Sequence, residues 1–155
     1  MIKSCIDNAK DYLMQIELYD AQIKNKCDEI ANLRSMAMSV TATLRPDGGS
    51  PSGGVSDKVG NSVAKIVDMQ KEVNKDIDRF IDYKKEVLSL IDKIKSPDEI
   101  RLLHLRYFQY KPWEEIAVIM NYTYRNVCYI HSRALQSVSK LLEDKDSEQK
   151  QIQPE

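Results

Sequence analysis

The sequence predicts an all-α protein: a long antiparallel coiled-coil hairpin followed by a compact three-helix module. Three observations carry that expectation. Apolar residues recur at alternating spacings of three and four through residues 6–44, and again through residues 59–94. One cluster of Pro and Gly separates the two runs. After Ser96-Pro97 the pattern changes to three shorter helical stretches, in which most of the aromatic residues gather.

The chain has 155 residues, of which 42% are hydrophobic and 30% charged. Such a mix is that of a globular chain with long exposed helices. The net charge of −1 excludes a global field attractive to nucleic acid, so any such contact needs a local patch. Cys5, Cys27 and Cys128 are odd in number and lack a C-x-x-C pair, which points to reduced thiols in a cytosol. Charges interrupt the opening Met1-Ile2-Lys3-Ser4-Cys5-Ile6-Asp7 too soon for a signal peptide. No apolar run approaches the roughly 18 residues of a membrane helix. The expectation is a cytoplasmic protein without a membrane partner.

The first seam is Ile6, Ala9, Leu13, Ile16, Asp20, Ile23, Cys27, Ile30, Arg34, Ala37, Thr41 and Leu44. Neither Gly nor Pro occurs before Pro46, so one helix can run from about residue 3 to about residue 44. Residues 45–54 then hold two prolines and four glycines, which no helix continues through. A flexible loop is expected over 45–58. The second seam is Val59, Val63, Ile66, Gln70, Val73, Ile77, Phe80, Lys84, Val87, Ile91 and Ile94.

Folding the chain back at the loop brings these seams together with a constant sum of facing residue numbers. Leu13 meets Ile91, Cys27 meets Ile77, and Ile30 meets Val73. The polar interruptions obey the same rule, so an Asp20–Lys84 ion pair and an Arg34–Gln70 hydrogen bond are expected to fix the register. Tyr12, Tyr19, Val67, Ile81 and Leu88 widen the apolar stripe beyond what two helices cover. A second copy of the hairpin, giving a homodimer, is the simplest cover; the C-terminal module folding back is the other.

Ser96-Pro97-Asp98-Glu99 reads as a helix start, with Ser96 as cap, Pro97 in the first turn and Glu99 reaching back. This helix carries Ile100, Leu103 and Tyr107 on one face, flanked by Leu102 and Leu105, and ends before Pro112. Trp113–Met120 reads as a short second helix whose early Glu114 and Glu115 suit the helix dipole. Asn121-Tyr122 is the turn, since Asn tolerates left-handed backbone. Thr123 caps a third helix from Tyr124 to about Leu142, with Val127, Ile130, Ala134, Leu135 and Val138 inside. A short helix with a small residue at Ala117, a tight turn and a longer helix match the helix-turn-helix plan.

The residues Arg106-Tyr107, Glu115-Ile116-Ala117, Thr123, Val127, Ile130 and Arg133-Ala134-Leu135 resemble region four of bacterial sigma factors over about forty residues. More of the chain resembles a narrower group. Tyr12-Leu13, Gln15-Ile16-Glu17, Asp20, Ile23, Lys26, Glu29-Ile30 and Leu33-Arg34 are similar to its N-terminal pattern. Trp113, Ile116-Ala117, His131 and Arg133-Ala134-Leu135 are similar to its end. That group is the small phage and prophage proteins of low-GC Gram-positive bacteria related to the RinA and ArpU late-gene activators. The resemblance implies a regulator of phage or mobile-element late genes that binds double-stranded DNA.

Carried over residue by residue, the resemblance gives Thr123 the cap and phosphate role. It places Tyr124, Arg125, Cys128 and Tyr129 where sigma factors read base edges, and Arg133 where a basic residue meets phosphate. Tyr124 and Cys128 depart from residues that are often basic, which implies a different sequence preference and lower affinity. Arg125 has the fork that binds a guanine edge, and Asn126 can pair with adenine if it faces the groove. The division expected is hairpin and dimerisation over 1–95, the DNA-binding helix-turn-helix domain over 96–143 with its recognition helix at about 124–142, and a disordered acidic tail over 144–155.

Charge limits this reading. From Ser96 to Glu143 the cations Arg101, Arg106, Lys111, Arg125, Arg133 and Lys140 face Asp98, Glu99, Glu114, Glu115 and Glu143, a net of one positive charge. Phosphate neutralisation supplies much of DNA affinity. One copy is therefore expected to bind weakly and to need dimerisation or help from RNA polymerase.

Other chemistry finds little footing. His104 and His131 lack ligand partners at metal spacing, and His131 is expected at the surface or facing phosphate. Cys128 has no evident base partner, and no G-K-[ST] follows the glycine pairs. Neither an enzyme nor a cofactor or metal site is expected. Two other classes remain open from the sequence: a DNA-packaging component like a small terminase subunit, and a protein-only adaptor that grips RNA polymerase.

Overall fold

The computed structural model describes residues 2–43 and 55–151, with side chains over 5–40 and 60–150. Among the described residues the chain is all-helical: five α-helices, one π turn and no strand. Helix α1 spans Ile2–Thr43 and α2 spans Val55–Ile91. The expected loop over 45–58 is shorter at its far side, because α2 already begins at Val55; residues 44–54 lie outside the described residues. Between Gly54 and Pro97 the sequence holds no proline and a single glycine, Gly60, so little delays the helix.

Packing divides the chain into two compact units, Met1–Leu18 with Ile81–Glu155, and Tyr19–Phe80. The cuts fall inside α1 and α2, whereas the pattern of the sequence changes after residue 95.

In the unit Tyr19–Phe80, two helix segments share a narrow core. Ile30, Ile66 and Val73 are its buried residues, with Ile23, Leu33, Met69 and Ile77 packed beside them. Lys26 Nζ donates to Asp76 Oδ2 at 2.5 Å. Rising positions on α1 thus meet falling positions on α2, as a heptad seam requires. One register detail differs. Arg34 and Gln70 line the same groove as Ile30 and Val73, but the expected hydrogen bond between them is not made. Arg34 is exposed, and a long charged side chain stays in water when its apolar stem alone can cover the seam. Cys27 is exposed as well, and Val63 and Val67 are 51% and 42% exposed.

The other unit is thicker. It takes Ala9, Leu13 and Ile16 from α1, and Val87, Leu90 and Ile91 from α2, into its interior. Helix α3 spans Pro97–Leu103 and runs into a π turn at His104–Phe108; α4 spans Trp113–Met120 and α5 spans Tyr124–Gln151. Leu102, Leu105, Ile116, Met120, Val127 and Ile130 make one buried cluster, with Trp113, Ala117 and Ile119 against it. Ala117 lies at that contact as expected of a small residue there.

In this unit α5 packs beside the ends of α1 and α2, although Ile81 of the widened stripe stays 42% exposed. Leu90 and Leu141 line one surface there with Glu86 and Lys145, which pair. The Glu143 carboxylate beside Cys5 pushes that thiol above its ordinary value. Tyr12 and Tyr83 meet edge to face at 5.5 Å, and Tyr83 Oη donates to the Tyr12 carbonyl at 2.6 Å. Burial, and then the charge of Glu86, push the Tyr12 phenol up to about 12.

These contacts explain a correction at the C-terminus. Residues 144–151, expected to be disordered, continue α5 to Gln151. A composition poor in apolar residues did not show that Lys145 meets Glu86, a residue far away in sequence. Residues 152–155 lie outside the described residues.

Candidate nucleic-acid interface

The turn between α4 and α5 forms for local reasons. Asn121 adopts left-handed backbone, φ 57° and ψ 43°, where an Asn is tolerated better than a branched residue. The Tyr122 amide donates to the Ala117 carbonyl at 3.0 Å and closes the end of α4. Thr123 then caps α5: the Asn126 amide donates to its Oγ1 at 3.2 Å. Tyr122 Oη donates to Asp98 Oδ2 at 2.7 Å, tying the turn to the start of α3.

Past this turn the first turns of α5 present a polar edge. Thr123, Tyr124, Arg125, Cys128, Tyr129 and Arg133 are all exposed, while Asn126 is half-buried. Between them Val127 and Ile130 face inward and hold the helix on α3 and α4. The structure therefore leaves six of the seven sequence-derived residues exposed along the start of α5. Asn126 is turned partly inward, and its backbone amide serves the Thr123 cap.

Arg125 makes no hydrogen bond or ion pair among the described residues. Tyr124 and Tyr129 are 52% and 60% exposed, large aromatic surfaces left to solvent. The Cys128 side chain beside Tyr124, one turn on, pushes that phenol above its ordinary value, with desolvation second. Arg133 lies over the Tyr129 ring at 5.9 Å, and its Nε is 3.7 Å from Glu99 Oε1.

Glu99 is a residue whose role the sequence pattern missed. It was expected to reach back as the second half of a capping box with Ser96. Ser96 instead makes no side-chain cap bond. Glu99 is buried, and Ser137 Oγ donates to its Oε2 at 2.7 Å while Arg133 approaches from outside. A carboxylate inside the protein needs donors, and α5 supplies them at one point on its length. The contact orients Arg133 at the border of the exposed edge.

His131 is the second correction. It is not a surface or phosphate-facing residue. It sits half-buried against Trp113, with ring centroids 4.6 Å apart, and its Nε2 shares a 2.8 Å hydrogen bond with Tyr107 Oη. Burial, then the charges of Lys10 and Arg106, lower its pKa from 6.5 to about 4. Arg106 stacks over Trp113 at 4.5 Å and donates to the Lys111 carbonyl at 3.0 Å. This group packs His131 of α5 against Trp113 of α4 and Tyr107 of the π turn. Lys111 is itself paired with Glu115 at 2.5 Å, so neither is free on the surface.

Among the described residues no group of His, Cys, Asp and Glu is arranged to hold a metal ion. No described helix is long and apolar enough to cross a membrane. No family model, no curated protein and no solved structure matches the chain.

Proposed function

We propose that the protein is a sequence-specific DNA-binding transcriptional regulator of phage or mobile-element genes. In this reading α3, α4 and α5 form a helix-turn-helix domain with α5 as recognition helix, and the coiled-coil hairpin of α1 and α2 joins two copies. The observation that carries it is the free edge of α5. Arg125 lacks an internal partner and stands between two exposed tyrosines at the start of a helix capped by Thr123. An exposed, unpartnered guanidinium at a helix start fits base reading in a major groove. Tyr124 and Tyr129 offer aromatic contact to thymine methyl groups, and Arg133, oriented by Glu99, meets phosphate.

The dimer reading draws on the unit Tyr19–Phe80. Val63, Val67 and Met36 are exposed there, Met36 at 64%. Two helices leave these side chains wet, and a second copy that covers them makes a four-helix bundle.

The test is binding of the full chain to duplex DNA, with site selection from a random library. Arg125→Ala is expected to lose discrimination at one base pair by about 1–3 kcal/mol while its melting curve stays unchanged. Failure of the wild-type chain to bind any duplex at low salt overturns the reading and favours a protein-only adaptor. Sedimentation reads the assembly: a dimer is expected, and a larger ring favours a packaging component.

A further inference from the structure

An open groove lies between the segment that follows α2 and the middle of α5. Four cations line it, Lys93, Lys95, Arg133 and Lys140, against two carboxylates, Glu99 and Asp144. Glu99 is already satisfied by Ser137 and approached by Arg133. Lys93, Lys95 and Lys140 are exposed and have no ion-pair partner among the described residues. Three unpaired ammonium groups around one concavity raise its positive potential and repel one another unless an anion sits there.

The groove continues the face described above. Arg125, Tyr129, Arg133, Gln136 and Lys140 follow one another at spacings of four, four, three and four residues, and all are exposed. That stripe is about 22 Å long at 1.5 Å per residue. A major groove is about 12 Å wide. A helix whose first turns enter the groove therefore carries its later turns past the phosphate rim, which is where the lysines gather.

We propose that Lys93, Lys95 and Lys140 clamp the phosphate backbone of the same duplex that the start of α5 reads. The proposal rests on the DNA-binding reading above. It also answers that reading's charge deficit. The stretch from Ser96 to Glu143 carries one net positive charge, and Lys93 and Lys95 lie just outside it in sequence but beside it in space. Phosphate contacts carry affinity and register rather than sequence information.

The experiment measures salt-dependent binding of the full chain to a short duplex of arbitrary sequence and to its selected site. Lys93→Gln, Lys95→Gln and Lys140→Gln combined are expected to weaken both by on the order of 10- to 100-fold near 0.1 M salt. The slope of log K against log salt is expected to shrink by about 2 to 3, since each neutralised phosphate contributes about 0.9. Arginine at the same three positions is expected to restore affinity and slope, which separates charge from folding. Wild-type affinity and slope in the glutamine variant overturn the clamp and leave the DNA-binding reading standing. No binding by the wild-type chain overturns both.

Discussion

The two compact units share segments of the same two helices, yet their interiors differ. In Tyr19–Phe80 the best-buried residues, Val73, Ile30 and Ile66, keep 5%, 6% and 7% exposure. In the other unit Leu13, Ile16, Ile91, Leu102, Leu103, Ile116 and Val127 all fall below 2%. A helix pair covers a seam from one side only, so its side chains keep an open flank. A third layer encloses them, and α5 supplies it. The lesson is that a heptad pattern specifies which residues face inward, while the number of layers decides how dry they become.

The contrast gives graded expectations. Leu102→Ala removes a fully enclosed side chain and is expected to cost about 2–5 kcal/mol in denaturant unfolding. A value under about 1 kcal/mol there denies that the thick unit has a close-packed core. Acidification is next. His131 is neutral in the fold because burial lowers its pKa from 6.5 to about 4. Its stabilisation is fully present above pH 6.5 and is lost as pH falls towards 4, by about 3 kcal/mol at most. His131→Phe is expected to flatten stability across that window; an unchanged pH profile sinks the assignment.

Glu99→Ala strands Ser137 and the inner side of Arg133, and is expected to cost about 1–3 kcal/mol. If α5 reads DNA as proposed, the substitution is also expected to loosen Arg133, read as a smaller salt dependence of that binding. Ile30→Ala, the partner experiment to Leu102→Ala, is expected to cost less, near the low end of about 2–5 kcal/mol, because its two-helix site can collapse more easily. If the proposed dimer closes that flank, the loss grows with protein concentration. The smallest effect belongs to Lys26→Ala, whose half-exposed pair with Asp76 is partly screened by salt. Its small destabilisation is expected to shrink at high ionic strength.

Much of the candidate edge was legible from residues 113–133. Trp113–Met120 as a helix, Asn121 in left-handed backbone and Thr123 as cap each follow from interactions spanning four residues or fewer. The inward positions Val127 and Ile130 follow from helical period alone. Hence the opposite positions, Tyr124, Arg125, Cys128 and Tyr129, could be named as exposed. The basic groove was not legible in the same way. Lys93, Lys95 and Lys140 are scattered through the sequence, and no spacing rule joins the end of α2 to the middle of α5.

What the sequence determined by itself is therefore what local backbone sterics and the 3.6-residue period govern: the order of the helices, the α4–α5 turn, the Thr123 cap and most inward positions. Tertiary structure alone decided the fate of the long polar side chains. Glu99 left its cap for Ser137, His131 went beneath Trp113, Arg34 stayed in water, and α5 ran on to meet Glu86. Each of these outcomes balances desolvation against a partner tens of residues away, and that balance exists only once the partner has been brought within hydrogen-bond reach.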